Sequence, residues 1–376
     1  MKMSTLLYFT GPVFNMRQTG GIKRFVELSK YYRDNRKDYL FCTQDEEIDV
    51  KANGFENFQQ LRIPHFHGWK NHLLPEIQIA LANYDILKKL KKKHFSDVIV
   101  FDVPTAISLC LLGFRNIILM IRKDMIGYEL VSSPKRSIKL YLKLAVQWIS
   151  ESICLIRSKK IIVQCNYDSK ILCNRHFFLK NAILKKIFIQ INNVNPSWAK
   201  YKGYNTEIDD NIFKICFIGN FDNPRKGHDL FLKAVSKLSI PNLLVVVIGG
   251  GANLNYYQQQ YHAPHIKFLG HQNNPINELC KCNLLVVPSL ADSCPNTIME
   301  ALLNNIPVIG SRAGGIPEIL NFDEALFDLS VESLVRKIMQ YFEDEHFRSK
   351  LSELENNRRA ELTFEWATKI VDIIKL

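Results

Sequence analysis

Two carboxylates and two cations stand at spacings that suit a polar, anionic ligand. Asp292 and Glu300 lie eight positions apart in "ADSCPNTIMEALLNNIPVIGSRAGGIPEIL", Ala291 to Leu320, and Arg225 and Lys226 are adjacent in "GNFDNPRKGHDL", Gly219 to Leu230. Cations just ahead of a helix start conflict with the helix dipole, which favours acidic side chains there. An anionic ligand resolves the conflict. Pro295 suits the first helical position, where a missing N–H is no loss and the fixed φ is already helical. Ser293 or Cys294 then lies near the cap, and the free amides of Asn296 and Thr297 are offered to an anion. In the helix that follows, Ile298, Ala301 and Leu302 form a packing stripe, while Thr297, Glu300 and Asn304 share the opposite face. A carboxylate at Glu300, off the core, is suited to accept two hydrogen bonds from a vicinal diol such as a ribose.

Other loops add to this set. Gly20 and Gly21 precede the helical run "IKRFVEL", so the backbone can approach a ligand closely and first-turn amides stay free for an anion. Gly249, Gly250 and Gly251 end the strand-like "VVVIGGGANL", but the dinucleotide fingerprint needs a further glycine where Leu254 stands, which argues against a nicotinamide enzyme. The nine cysteines, an odd number spread along the chain, read as free or buried thiols rather than a disulfide framework. Neither Cys280 with Cys282 nor His65 with His67 has the second half that a four-ligand zinc site requires, so no metal is expected.

The elements that must position these residues follow a βα rhythm. In the second half the strands are "FKICFIGN", "NLLVVVIGG", "IKFLG", "NLLVVPS" and "PVIGS", separated by helical stretches such as "HDLFLKAVSKL", "PINELCKC" and "NTIMEALLNN". The first half repeats the rhythm around "STLLYFT", "DYLFCT", "DVIVFD", "NIILMI" and "KIIVQC", with helices over Gly21 to Asn35 and from about Lys135 to Ser158. Such alternation implies two doubly wound parallel-sheet domains, with ligands at the carboxyl ends of the strands. The polar stretch Asn192 to Asn211 reads as the link between them, and "TFEWATKIVDIIKL" ends the chain as an amphipathic helix suited to pack back across the boundary.

With 376 residues, 47% of them hydrophobic, the chain is long enough for two cores. No apolar run reaches the ~20 residues of a membrane span, and "MKMSTLLYFTGPVF" reads as a first strand rather than a signal peptide, so the expected location is the cytoplasm. Charge is uneven: residues 1–200 carry 32 Lys and Arg against 16 Asp and Glu, and residues 201–376 carry 17 against 21, a balance of +16 and −4. The basic half, including "LKKLKKKHF" at Leu87 to Phe95 and Arg136, Lys139 and Lys143 on the long helix with Trp148, suits an anionic membrane surface, which would make the protein peripheral. No nucleic-acid readout motif accompanies it.

Taken in order, "TGG", "FIGNFDNPRKG", "VVVIGGG", "IKFLGH", "VVPS" and the Asp292-to-Glu300 segment followed by "PVIGSRAGGIPEIL" resemble the retaining glycosyltransferases of family 4. The resemblance covers essentially the whole chain, most closely Ile212 to Leu320. It implies the GT-B architecture, in which two Rossmann-like domains face each other across a cleft. Residues 1–195 would bind the acceptor, 196–211 would link, 212–355 would bind the nucleotide-sugar donor, and 356–376 would pack back toward the first domain. Carried over by position, Lys226 would bind the diphosphate with Arg225 beside it, Glu300 the ribose and Asp292 the transferred sugar. Gly20 and Gly21 would close on the phosphates, with Asn220, Gly249, Gly250, His271, Pro295, Asn296 and Thr297 also lining the donor site, and Gln272 beside them. Asp124, with Arg122 in "IRKDMIGYE", would face the acceptor. The implied reaction needs no metal or cofactor: a UDP- or GDP-linked sugar moves with retention to a glycan or lipid-linked acceptor. The sequence departs from the family's pattern at Asp292, usually glutamate, at Asn220, usually arginine, and at Pro295, commonly glycine. A sugar-nucleotide epimerase of the same architecture and a nucleotide-sugar-binding protein without turnover are the rival readings.

Overall fold

The computed structural model describes residues 5–14, 20–35, 38–65, 75–133, 136–195 and 211–376. Among them the chain forms two wholly parallel sheets. The first has seven strands, β1 Thr5–Tyr8, β2 Tyr39–Thr43, β3 Phe58–Gln60, β4 Asp97–Phe101, β5 Ile117–Met120, β6 Ser158–Val163 and β7 Ile187–Ile189, in the order β3-β2-β1-β4-β5-β6-β7. The second has six, β8 Phe213–Ile218, β9 Leu243–Ile248, β10 Ile266–Gly270, β11 Leu284–Val287, β12 Val308–Ser311 and β13 Leu326–Phe327, in the order β10-β9-β8-β11-β12-β13. The chain reverses direction across each sheet beside β1 and β8. Such a switch point opens a crevice at the carboxyl ends of the strands.

The central strands are continuous aliphatic runs because helices cover both of their faces. In β4, β5 and β11, Val98 to Phe101, Ile117 to Met120 and Leu284 to Val287 are all buried. Three strands that the sequence pattern does not reveal, β3, β7 and β13, sit at sheet edges and contain only two or three residues. Half-covered edges carry too few apolar positions for a readable run. The long helix expected from about Lys135 begins at Ile138, because Ser137 caps it by accepting a hydrogen bond from Leu140 N at 3.2 Å, and it ends at Arg157.

The chain passes between the domains twice. Residues 196–210, nearly all of the expected link, lie outside the described residues, but Val194 N donates to the Leu362 carbonyl at 2.8 Å, so the two crossings run side by side. Beyond the second crossing, the Trp366–Lys375 helix buries Trp366, Ile370, Val371 and Ile374 in the core of the first sheet. The guanidinium carbons of Arg24 and Arg122 lie 5.2 and 5.5 Å from the Trp366 ring centroid, within the range of cation–π attraction. Lys160 Nζ donates to the carbonyls of Ile373 and Ile374 at 2.6 and 3.0 Å, which satisfies the orphan carbonyls at that helix's end.

Candidate active site

Arg225 and Lys226 lie on a 3-10 turn, Pro224–Lys226, that Asn223 caps by accepting from Arg225 N at 3.2 Å. Gly227 follows at φ +76°, and a β carbon there would sit 2.0 Å from the Pro288 carbonyl oxygen, so only glycine lets the chain turn into the next helix. This turn separates the roles of the two cations. Lys226 Nζ lies 2.7 Å from Asp292 Oδ2, with both side chains partly exposed. Arg225 is buried: its Nε donates to the Ala291 carbonyl at 2.9 Å and its Nη1 to the Asp124 carbonyl of the other domain at 3.4 Å. Arg225 therefore pins the loop before Asp292 to the first domain.

Pro295 is the N-cap of the Asn296–Leu303 helix rather than its first helical residue; its ψ of 118° keeps it extended, and the first turn begins at Asn296. A proline cap has no side-chain acceptor, so the leading amides of Asn296 and Thr297 get no cap from it. Across the cleft stands Gly20, where a β carbon would lie only 2.6 Å from Asn296 Nδ2; at Gly21 it would meet nothing within 4 Å. Gly20 thus gives close approach between the two helix starts.

Glu300 is among the buried polar residues of the structure. It is 8% exposed, shielded in the cleft without joining the hydrophobic core. Burial raises its pKa, and the positive charges of Lys23 and Lys226 oppose that rise. Lys23, which the motif reading passed over, therefore brings a cation of the first domain to Glu300. Its only signal in the sequence is its place two residues after Gly21.

The strand ends complete the floor. Gly249 packs on the Gly219 carbonyl so closely that a β carbon would lie 1.8 Å from its oxygen, and a β carbon at Gly250 would lie 3.1 Å from the β carbon of His271. Gln272 donates to the Leu269 carbonyl at 2.7 Å and is held in its own turn. Asn220 is exposed and accepts from Asp222 N at 2.8 Å, an Asx turn that shapes the loop. Next to these, His228 is buried against Phe217, Phe221 and Tyr257, and burial lowers its pKa to about 4, so it is a neutral packing group.

On the first-domain side, neither proposed acceptor residue stands alone. Asp124 caps the Met125–Ser132 helix, accepting from Gly127 N at 3.0 Å, and its Oδ1 also receives Arg175 Nη2 at 2.6 Å. Arg122 Nη2 donates to Asn192 Oδ1 at 2.5 Å, and Asn192 Nδ2 donates to Asn296 Oδ1 at 3.1 Å, a relay from the first domain to the Asn296–Leu303 helix. Burial, then the nearby charge of Arg24, lowers the Arg122 pKa to about 10. Two further contacts join the domains beside the site. Ser293 Oγ donates to Asp168 Oδ1 at 2.6 Å, and the Glu318 carboxylate accepts from Asn166 N and Tyr167 N at 2.7 and 2.9 Å. Glu318 is thus the cap of a helix in the other domain, favoured by the positive end of its dipole.

Residues 205–358 match the model of the family described as "Glycosyl transferases group 1". The uncharacterized glycosyltransferase MJ1178 of Methanocaldococcus jannaschii is 25% identical over 338 residues, covering 81% of this chain and 90% of that one. Among solved structures, the sucrose-phosphate synthase of Thermosynechococcus elongatus superposes with a TM-score of 0.73 at 13% identity, covering 100% of this chain and 98% of that chain. HepE of Anabaena, in complex with UDP and glucose, superposes with a TM-score of 0.72 at 15% identity, covering 99% of each chain. The chain is an enzyme of the glycosyltransferase kind. Its architecture is GT-B, two parallel-sheet Rossmann-like domains, and the residues at the carboxyl ends of β8, β9 and β11 lie on the second domain's side of the cleft.

Proposed function

We propose that this glycosyltransferase moves a hexose from a nucleotide-diphosphate sugar to a hydroxyl of a glycan or lipid-linked acceptor, with retention of configuration and without a divalent metal. The observation that carries the reading is the convergence of Lys226, Asp292 and buried Glu300 on a helix start without a side-chain cap, faced by Gly20 of the other domain. A diphosphate at that helix start would receive the leading amides and Lys226, and Glu300 would take the ribose diol. Asp292, whose carboxylate already holds Lys226, would orient the sugar. Its side chain is one methylene shorter than glutamate and reaches the cation from a loop that Arg225 fixes. In the reaction the bond between the anomeric carbon and the diphosphate oxygen breaks, and a bond to the acceptor oxygen forms on the same face. The acceptor's proton passes to the leaving diphosphate. Lys226 and the helix amides stabilise the charge that develops there, the principal electrostatic task of such a site. The complex of HepE with UDP and glucose favours a uridine donor.

The test is a panel of UDP- and GDP-sugars assayed for transfer and for donor hydrolysis, with and without EDTA. Turnover that survives chelation is the expected result. Loss of transfer in EDTA that magnesium or manganese restores would overturn the metal-free mechanism. Interconversion of the sugar nucleotide with no acceptor product would move the assignment to an epimerase, and binding without any turnover would leave only a nucleotide-sugar-binding protein.

A further inference from the structure

The loop that carries Asp292 is gripped from two sides, and each grip ends in the first domain. On one side Arg225 donates from Nε to the Ala291 carbonyl at 2.9 Å and from Nη1 to the Asp124 carbonyl at 3.4 Å. On the other lies the turn at Gly314 and Gly315, just ahead of the short Ile316–Leu320 helix. Gly315 N donates to the Asp292 carbonyl at 2.8 Å. Gly314 has φ +62°, and a β carbon there would lie 2.3 Å from that same carbonyl oxygen. A β carbon at Gly315 would lie 2.0 Å from the Ser293 carbonyl oxygen and 2.8 Å from Cys165 Sγ of the first domain. The turn is thus wedged between the Asp292 loop and the other domain. With backbone against backbone, no side chain can yield, so a shift of the turn passes directly to the loop.

Three residues beyond the wedge stands Glu318, whose carboxylate takes three donors from the first domain. Oε2 accepts from Asn166 N at 2.7 Å and from Asn166 Nδ2 at 2.8 Å, and Oε1 accepts from Tyr167 N at 2.9 Å. The Asn166–Arg175 helix has no side-chain cap from its own Cys165, so Glu318 supplies both the acceptor and the negative charge that its start requires. Within the second domain, Arg358 holds the same residue from behind, donating to the carbonyls of Glu318 and Ile319 at 2.8 and 2.6 Å. Ser293 adds a direct tie to the same first-domain helix, its Oγ donating to Asp168 Oδ1 at 2.6 Å. Capping alone accounts for a carboxylate at position 318. It does not account for two consecutive glycines that leave no slack between that cap and Asp292.

We propose that Glu318 is a positioning residue: its docking on the Asn166–Arg175 helix sets, through Gly314 and Gly315, the placement of Asp292. The inference rests on the glycosyl-transfer reading, in which Asp292 orients the sugar, and it makes that orientation conditional on engagement of the first domain. Lys226 and Glu300 stand on other elements, so loss of the Glu318 contact leaves nucleotide binding in place and lowers turnover.

The experiment compares full-length wild type, Glu318→Ala, Glu318→Gln, Asp292→Asn and the Glu318→Ala, Asp292→Asn double variant. Hydrogen–deuterium exchange reads placement without any turnover. Glu318→Ala should speed exchange in peptides spanning 289–295 and 312–316 as well as 164–170, with the two sheets protected as in the wild type. Glu318→Gln keeps one acceptor oxygen and should restore part of the protection in all three. Loss confined to 164–170 would reduce Glu318 to a helix cap and overturn the proposal. With the most active sugar nucleotide of the donor panel, Glu318→Ala should lower kcat roughly tenfold to a hundredfold, the scale of a misplaced reacting group, and leave UDP affinity unchanged. It should cost nothing further in Asp292→Asn protein, because both changes act through one carboxylate. Losses that add in the double variant, or UDP affinity that falls in step with kcat, would overturn the proposal. Absence of turnover in the wild type would count against glycosyl transfer itself, and the exchange pattern would then decide the positioning role alone.

Discussion

The Lys226–Asp292 pair makes opposite demands on its two members. A diphosphate would compete with Asp292 for the ammonium, so the carboxylate weakens phosphate binding while it holds the cation in place. We predict that Lys226→Ala and Glu300→Ala each weaken UDP-sugar binding roughly tenfold to a hundredfold, as expected for a lost hydrogen bond to a charged group of about 1.5 to 3 kcal/mol. Asp292→Asn should behave differently: UDP binds at least as tightly as to the wild type, yet transfer falls. Calorimetry with UDP and with the UDP-sugar, paired with initial rates, distinguishes these patterns. Wild-type affinity in both alanine variants would remove these residues from the donor site. Glu300 also shows the limit of a helical wheel, which separates it from Ile298 and Leu302 but cannot tell solvent from a second domain. Burial raises its pKa because the facing wall excludes water, and that wall comes from residues more than 250 positions earlier in the chain, around Gly20 and Lys23.

At the scale of elements, β1, β2, β4, β5 and β6 and all the strands of the second sheet except β13 were legible, because continuous Val, Ile and Leu runs between turn residues have few other solutions. Caps and partners were less legible. Pro295 is compatible with an extended or a helical residue at the same φ, so only the structure separates N-cap from first turn. The Glu318 cap on the Asn166–Arg175 helix joins residues 152 positions apart, beyond the reach of any local pattern. A similar long-range contact ties the Glu345–Leu362 helix to the second sheet: Glu355 Oε1 accepts from Val308 N at 2.7 Å, and burial pushes its carboxyl up to about 8. Its pKa is raised in the folded protein, so its contribution is fully present below the ordinary glutamate value near 4.3 and is lost as pH rises through about 8. We predict a melting temperature that declines over that window. Glu355→Gln keeps the acceptor for Val308 N and removes the titration, so it should flatten the decline. A decline of equal steepness in the variant would assign the pH dependence to other groups.

Over the whole molecule, the charge imbalance of the sequence acquires a shape. None of the described helices is long and apolar enough to cross a membrane. The Ile138–Arg157 helix instead presents Ile138, Leu142, Ile149 and Ile156 to solvent, at spacings that place them on one face, with Ile138 81% exposed. Its exposed charges, Lys139, Lys143 and Arg157, are all cationic, so the apolar stripe is accompanied by positive charge on the same helix. That combination favours a helix lying in the interface plane of an anionic leaflet. Each Lys or Arg near such a surface contributes about 1 kcal/mol, and several together are enough to hold the chain without a span. Salt should weaken the attraction, because the Debye length falls from about 10 Å at 0.1 M to about 3 Å at 1 M. We predict co-sedimentation with phosphatidylglycerol-containing vesicles at low salt, a marked loss at high salt, and a further loss in an Ile138→Glu, Leu142→Glu double variant whose exposed positions leave the fold unaffected. Equal pelleting with phosphatidylcholine vesicles, or none with either composition, would remove the membrane from this account and leave the basic half as a solvated face.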